Sequence, residues 1–107
     1  MCAEVIRIED PVQRGRWDIL RGNPPFADTR RGIDLGGAFN NHNVEKLGIT
    51  LNLRSERGKQ LLRELVKRCD VVAENFAAGV LERWGFPYAE LQRLRPDIIY
   101  VLNCGFG

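Results

Sequence analysis

In the stretch "LGITLNL", residues 47–53, Leu47, Ile49, Leu51 and Leu53 fall on one face, and this period-two alternation predicts a strand. The period then changes. Leu61, Leu62, Leu65, Val66 and Cys69 recur at helical spacing, with Lys59, Arg63, Glu64 and Lys67 mostly off the stripe, which predicts an amphipathic helix. Ser55 is its N-cap, ahead of a first turn that Gly58 weakens. "DVVAE", 70–74, reads as a short buried strand. Residues 80–84 make a turn or two of helix closed by Gly85. A second short helix runs from Tyr88, uses Leu91 and Leu94, and stops at Pro96. "DIIYVLN", 97–103, is the last strand, and Val5, Ile6 and Ile8 of "AEVIRIED" predict another near the start.

Residues 9–43 carry no such period. Asp10-Pro11, Asn23-Pro24-Pro25, Gly32, Gly36-Gly37 and "NNHN" at 40–43 make them read as one long irregular segment, of a length that is usually functional or disordered. Strand, helix, strand, helices, strand is the order of a right-handed βαβ arrangement, so the expected class is α/β with a parallel sheet flanked by helices. The 107 residues suit one small domain. Both ends stop on strands that look like sheet members, so the chain reads as a fragment of something larger.

Composition narrows the partners. Apolar content of 44% and charged content of 28% are ordinary for a globular protein, and a net charge of +2 is too small to argue for nucleic acid. The basic residues are mostly arginine, whose guanidinium fork pairs with carboxylates and phosphates. Cys2, Cys69 and Cys104 are scattered, without C-x-x-C spacing, and read as reduced thiols. No apolar run has the length of a membrane span and the N-terminus lacks a signal-peptide core, so the expected setting is cytoplasmic, with no membrane partner. His42 is alone and reads as a loop residue rather than a metal ligand. Arg14, Arg16, Arg21, Arg30 and Arg31, with Trp17 and Phe26 between them, form a basic segment that Asp18 and Asp28 dilute; a nucleic-acid loop is the weaker reading of it.

The informative stretch is "DVVAENFAAGVLERWG", 70–85. In parallel α/β sheets ligands bind at the carboxyl ends of strands, and Glu74-Asn75-Phe76 stands at one such end. Asn103-Cys104-Gly105-Phe106-Gly107 stands at another. An aromatic there can pack on a planar base, an arginine such as Arg83 can meet a phosphate, and Gly79 lets the backbone approach a bound group. The same residues also suit a purely structural role: Phe76 in a core, Asn75 in a turn, Arg83 solvated on its helix. Cys104 is open in the same way, as a reactive thiol or a buried strand-end cysteine.

Four stretches together resemble the family III CoA-transferases and their relatives, the α-methylacyl-CoA racemases and carnitine-CoA transferases. They are "AEVIRIED" at 3–10, "NVEKLGITLNLRSERGKQLL" at 43–62, "DVVAENFAAGVLERWGF" at 70–86 and "RPDIIYVLNCGFG" at 95–107. They stand in the family's order and spacing, and the E-N-F-x-x-G-x-L-x-R-x-G run is specific. The resemblance implies a fragment of a Rossmann-like parallel sheet flanked by helices. Residues 1–107 would be part of the large, CoA-binding domain, without its first strand and helix and without the catalytic segment. It further implies an intertwined homodimer when full length, and coenzyme A or an acyl-CoA as substrate rather than as a covalent cofactor.

Carried over position by position, Asn75 and Phe76 would line the CoA channel near the pantetheine or pyrophosphate, and Arg83 would contact the nucleotide end. Leu51 and Arg54 match positions that hold the adenine and its phosphate, and Lys46 matches a structural or peripheral basic position. The chain departs from the pattern in places. Lys46-Leu47-Gly48 stands for K-R-S, Leu51-Asn52-Leu53-Arg54 for L-D-L-K, "ENFAAG" for "ENFRPG" or "ENFGPG", and Asp10 stands where some members have a cation. The catalytic aspartate of the transferases, and the His/Asp pair of the racemases, would lie beyond Gly107, so no catalytic residue is named. The functions in view are therefore the CoA-binding part of a CoA-transferase, a 2-methylacyl-CoA racemase of the same fold, and a non-catalytic remnant or nucleotide-binding module.

Overall fold

The computed structural model describes residues 3–13 and 18–105. Arg14, Arg16, Trp17 and Phe106 lie outside the described residues, so the readings placed on them are left there. The elements are β1 (Ile6–Glu9), α1 (Gly37–His42), β2 (Leu47–Thr50), α2 (Glu56–Val66), β3 (Val71–Glu74), α3 (Val80–Arg83), α4 (Tyr88–Leu94) and β4 (Ile99–Leu102). They divide into two compact units, residues 1–52 and 53–107. The strands form two parallel pairs, β1 with β2 and β3 with β4, where the order of elements had suggested one sheet.

In the first unit Ile6 pairs with Leu47 and Glu9 with Thr50. The Leu47 amide donates to Val5 and the Leu51 amide to Glu9, at 2.8 and 2.9 Å, which extends the ladder past both strand ends. The segment expected to be irregular is in fact partly helical. It holds two 3-10 turns, Pro11–Gln13 and Ile19–Gly22, and then α1, which absorbs most of the "NNHN" run and places His42 in a helix rather than a loop. The asparagines that suggested turns bond the local backbone instead: Asn43 Nδ2 donates to the Phe39 carbonyl at 2.8 Å and Asn40 Nδ2 to that of Asp34 at 3.1 Å.

What ties this segment to β1 is charge. Glu9 is only 8% exposed and accepts from Arg7 and Arg21. Arg7 also reaches Asp18, and Arg21 reaches Asp34 Oδ1 at 2.8 Å and the Ile33 carbonyl at 2.9 Å. The hydrogen bonds that Arg21 donates to the Glu9 carboxylate raise the Arg21 pKa above its ordinary value. Both guanidiniums face the buried ring of Phe39, Arg21 at 3.7 Å and Arg7 at 4.8 Å from its centroid.

The second unit is built on apolar packing. Ser55 Oγ accepts from the Gly58 amide at 3.0 Å and starts α2, as its place in the sequence suggests. Val66 from α2 meets Leu81, Phe86, Leu91 and Ile98 in one buried cluster, with Leu62, Val72, Trp84, Leu94 and Tyr100 packed round it. Helix α3 closes on Gly85 at φ 94°, where the Gly85 amide donates to Glu82 and the Phe86 amide to Leu81. This pair of bonds is a Schellman motif, and its usual apolar partners, here Phe86 and Leu81, are both buried.

Strands β3 and β4 pair from Val71↔Ile99 to Glu74↔Leu102. Among the described residues, the strand expected to be buried at "DVVAE" is covered on one face only. Val72 and Tyr100 face the cluster, while Val71 and Ile99 stay 49% and 59% exposed. A continuous apolar run resembles a strand buried on both faces, but the helices of this unit reach only one side of the pair.

Candidate functional site around the turn after β3

The Asn103 amide donates to the Glu74 carbonyl at 2.9 Å, so the carboxyl ends of β3 and β4 lie side by side. From there the chain turns through Asn75 and Phe76 to Gly79, which caps α3 at φ 77°. That left-handed conformation suits glycine, and a Cβ at this position would come within 3.2 Å of Arg83 Nη1. Three of the five residues singled out from the sequence, Asn75, Phe76 and Arg83, thus belong to one turn and the helix it starts. Asn75 and Arg83 are exposed, and among the described residues no hydrogen bond engages either side chain. Phe76 is 40% exposed, its ring set edge-to-face on Trp84 with centroids 5.2 Å apart.

The other two stand apart in the sequence. Leu51 directly follows β2 in the first unit and is buried there at 8% exposure. Arg54 is exposed in the turn that leads into the Ser55 cap. Lys46 spends its ammonium on the end of α1, donating to the His42 carbonyl at 2.8 Å and to Asn43 Oδ1 at 3.1 Å. Cys104, after β4, is half-buried with a free thiol. Among the described residues no group of His, Cys, Asp and Glu side chains is placed to hold a metal ion. A shallow groove beside α2 and α4 is lined by Arg57, Arg63, Lys67 and Arg93 with Leu61 and Leu94, and it contains none of the five residues.

Sequence reasoning missed a residue that bonds the turn to the neighbouring strand, Glu74. Glu74 accepts from the Tyr100 hydroxyl at Oε1, 2.8 Å away, and from the Phe76 amide at Oε2. Burial, then the Glu74 carboxylate, push the Tyr100 pKa up to about 12, so its hydroxyl remains a donor well into alkali. Strand register carries the missing signal. Val72 pairs with Tyr100 and Glu74 with Leu102, which makes Glu74 and Tyr100 diagonal neighbours on one face, within reach of long side chains.

The turn thus presents an amide, an exposed aromatic ring and a guanidinium at the carboxyl ends of parallel strands, an arrangement suited to an anionic ligand with a planar or amide-bearing body. The comparisons with known proteins agree with the fold. A profile of CoA-transferase family III matches residues 1–107, and the chain belongs to that family. It is 42% identical over 105 residues to a formyl-CoA:oxalate CoA-transferase of Bradyrhizobium diazoefficiens, covering 98% of this chain and 23% of the relative. It is 37% identical over 107 residues to a succinyl-CoA:mesaconate CoA-transferase of Haloarcula marismortui, covering 26% of it. A solved CAIB/BAIF family protein from Brucella suis superposes with a TM-score of 0.77 at 36% identity, over 94% of this chain and 25% of that one. The chain therefore spans about a quarter of the length of the relatives it matches. Among the described residues no helix is long and apolar enough to cross a membrane.

Proposed function

We propose that this chain is the CoA-binding part of an enzyme that moves coenzyme A between carboxylic acids, with the turn after β3 as its ligand-facing element. The observation that carries the reading is the joint placement of Asn75, Phe76 and Arg83 round Gly79 at paired parallel strand ends, in a member of CoA-transferase family III. Asn75 and Phe76 lie beside the pantetheine or pyrophosphate. Arg83 meets the nucleotide end as a charge-assisted donor, and Leu51 with Arg54 serves the adenine and its phosphate. Transfer rather than racemisation is preferred because the relatives above carry that name.

The nucleophile in this reading is a carboxylate supplied by polypeptide beyond Gly107. It attacks the thioester carbonyl to give a mixed anhydride and CoA thiolate. The thiolate attacks the enzyme's own carbonyl, releasing the first acid and leaving CoA as an enzyme thioester. The second acid's carboxylate then displaces CoA to form a new mixed anhydride. The thiolate attacks the acyl carbonyl of that anhydride to give the new acyl-CoA and the free enzyme carboxylate. The substrates are a CoA thioester and a carboxylic acid, the working form is an intertwined homodimer of the longer protein, and the setting is the cytoplasm. No nucleic acid takes part. The 107-residue chain by itself is expected to turn over no acyl-CoA.

The test is a thermal melt of the chain with and without millimolar CoA, beside an Arg83→Ala variant. A ligand stabilises a fold only by binding it better than the unfolded chain. CoA is expected to raise the midpoint, and to raise it less in the variant. A cooperative melt that CoA leaves unmoved overturns the binding role.

A further inference from the structure

Glu74 sits where a strand ends, a place where an acid is usually solvated. Here it is half-buried, and each of its oxygens has a donor. One donor, the Phe76 amide, is backbone of the turn itself. The other, the Tyr100 hydroxyl, comes from the neighbouring strand, and its ring packs against the buried cluster and stacks on Tyr88 at 6.3 Å between centroids. A carboxylate suits this position because it is acceptor-only at both oxygens, and two donors converge on it. A glutamine offers one acceptor and one NH₂ group. An aspartate is one methylene shorter and does not span the two donors.

We infer that Glu74 is a positioning residue: its carboxylate ties the Phe76 backbone to Tyr100 and so sets the turn that carries Asn75 and Phe76. The ring of Phe76 is held independently by Trp84. Glu74 thus fixes the backbone and Trp84 the side chain, and the exposed Asn75 amide between Glu74 and Phe76 is carried with them. Backbone fixed from a packed strand pair presents a binding turn in one conformation before the ligand arrives, which lowers the ordering cost of binding. The consequence for CoA rests on the function proposed above. The tether does not.

Two measurements on the full chain separate these statements. In an ¹H–¹⁵N spectrum, the Phe76 amide proton, donated to a charged oxygen, is expected far downfield. Glu74→Ala should return it upfield, and Glu74→Gln should move it part of the way. Tyr100→Phe, which removes one anchor and keeps the other, should move it least. Leu94→Ala, which loosens the same cluster without touching the tether, should lower stability and leave the Phe76 signal in place. By calorimetric titration, CoA affinity should fall about tenfold in Glu74→Ala, because the turn must then be ordered on binding. It should recover partly in Glu74→Gln and be unchanged in Leu94→Ala. A Phe76 signal that stays put in folded Glu74→Ala overturns the inference. If that variant does not fold, an unmoved signal in both Glu74→Gln and Tyr100→Phe does so. Wild-type chain that shows the tether but binds no CoA refutes the proposed function and leaves the positioning role standing.

Discussion

The two halves of this chain are held by different forces. In residues 53–107 the main hold is a buried apolar cluster from α2, α3, α4, Phe86 after α3 and Ile98 before β4, and charged pairs such as Arg93–Glu90 lie on the surface. In residues 1–52 the joining element is a knot of two arginines, three acids and one aromatic ring round the buried Glu9. Apolar burial is non-directional and tolerates repacking, whereas a buried ion pair depends on every partner, because removing one strands a charge. The first half is therefore the more brittle to a single conservative change, although it carries fewer apolar contacts.

That contrast is open to attack by mutation, with amide hydrogen exchange reading the β1/β2 and β3/β4 ladders separately. Phe86→Ala should do the most damage, about 4 kcal/mol, because the ring is fully buried and leaves a cavity. Protection should be lost in β3/β4 and kept in β1/β2. Glu9→Gln should cost about 3 kcal/mol by leaving Arg21 without its closest charge partner, with the loss confined to β1/β2. If both variants lower both ladders equally, the two-unit description is wrong. Gly85→Ala should cost about 1 kcal/mol: the position has room for a Cβ, so the penalty is that of a left-handed backbone alone.

A smaller effect appears only in alkali. Tyr100 keeps its proton in the fold until about pH 12, against an ordinary value of 10.0. Between these values the unfolded chain releases a proton that the native state retains. Stability contributed by this group is therefore complete below pH 10 and is lost as the pH climbs towards 12. Denaturant midpoints followed over that range should fall less steeply in Tyr100→Phe. Least of all, Arg93→Ala should leave the midpoint where it was, since its pair with Glu90 is exposed.

The fold of the second half was largely legible in the sequence, because each signal there is local. The Ser55 cap, the apolar stripe through Leu62 and Val66, the stop at Gly85 and the end of α4 before Pro96 all appear where the pattern puts them. In the first half, β1 and β2 follow from alternation, but α1 did not. Its sequence "GAFNNH" has one buried apolar residue, Phe39, and the helix depends on side-chain bonds to backbone and on two guanidiniums over that ring. The two arginines are far from Phe39 in the chain, and no periodicity reports them.

The candidate turn divides in the same way. Asn75, Phe76 and Arg83 could be picked out because they cluster at a predicted strand end, a place defined by local pattern. Glu74 was visible only as a strand's last residue. Its role came from register, which sets Tyr100 diagonally across from it, so that one carboxylate has a donor from the neighbouring strand as well as one from its own turn. Sequence alone determined the helices and stops whose hydrogen bonds close within a few residues, and the strands whose apolar pattern is itself local. The pairing of strands into two sheets, the bare face at Val71 and Ile99, the charge knot at Glu9 and the Glu74 tether were decided by tertiary structure, because each depends on groups distant in the chain meeting in space.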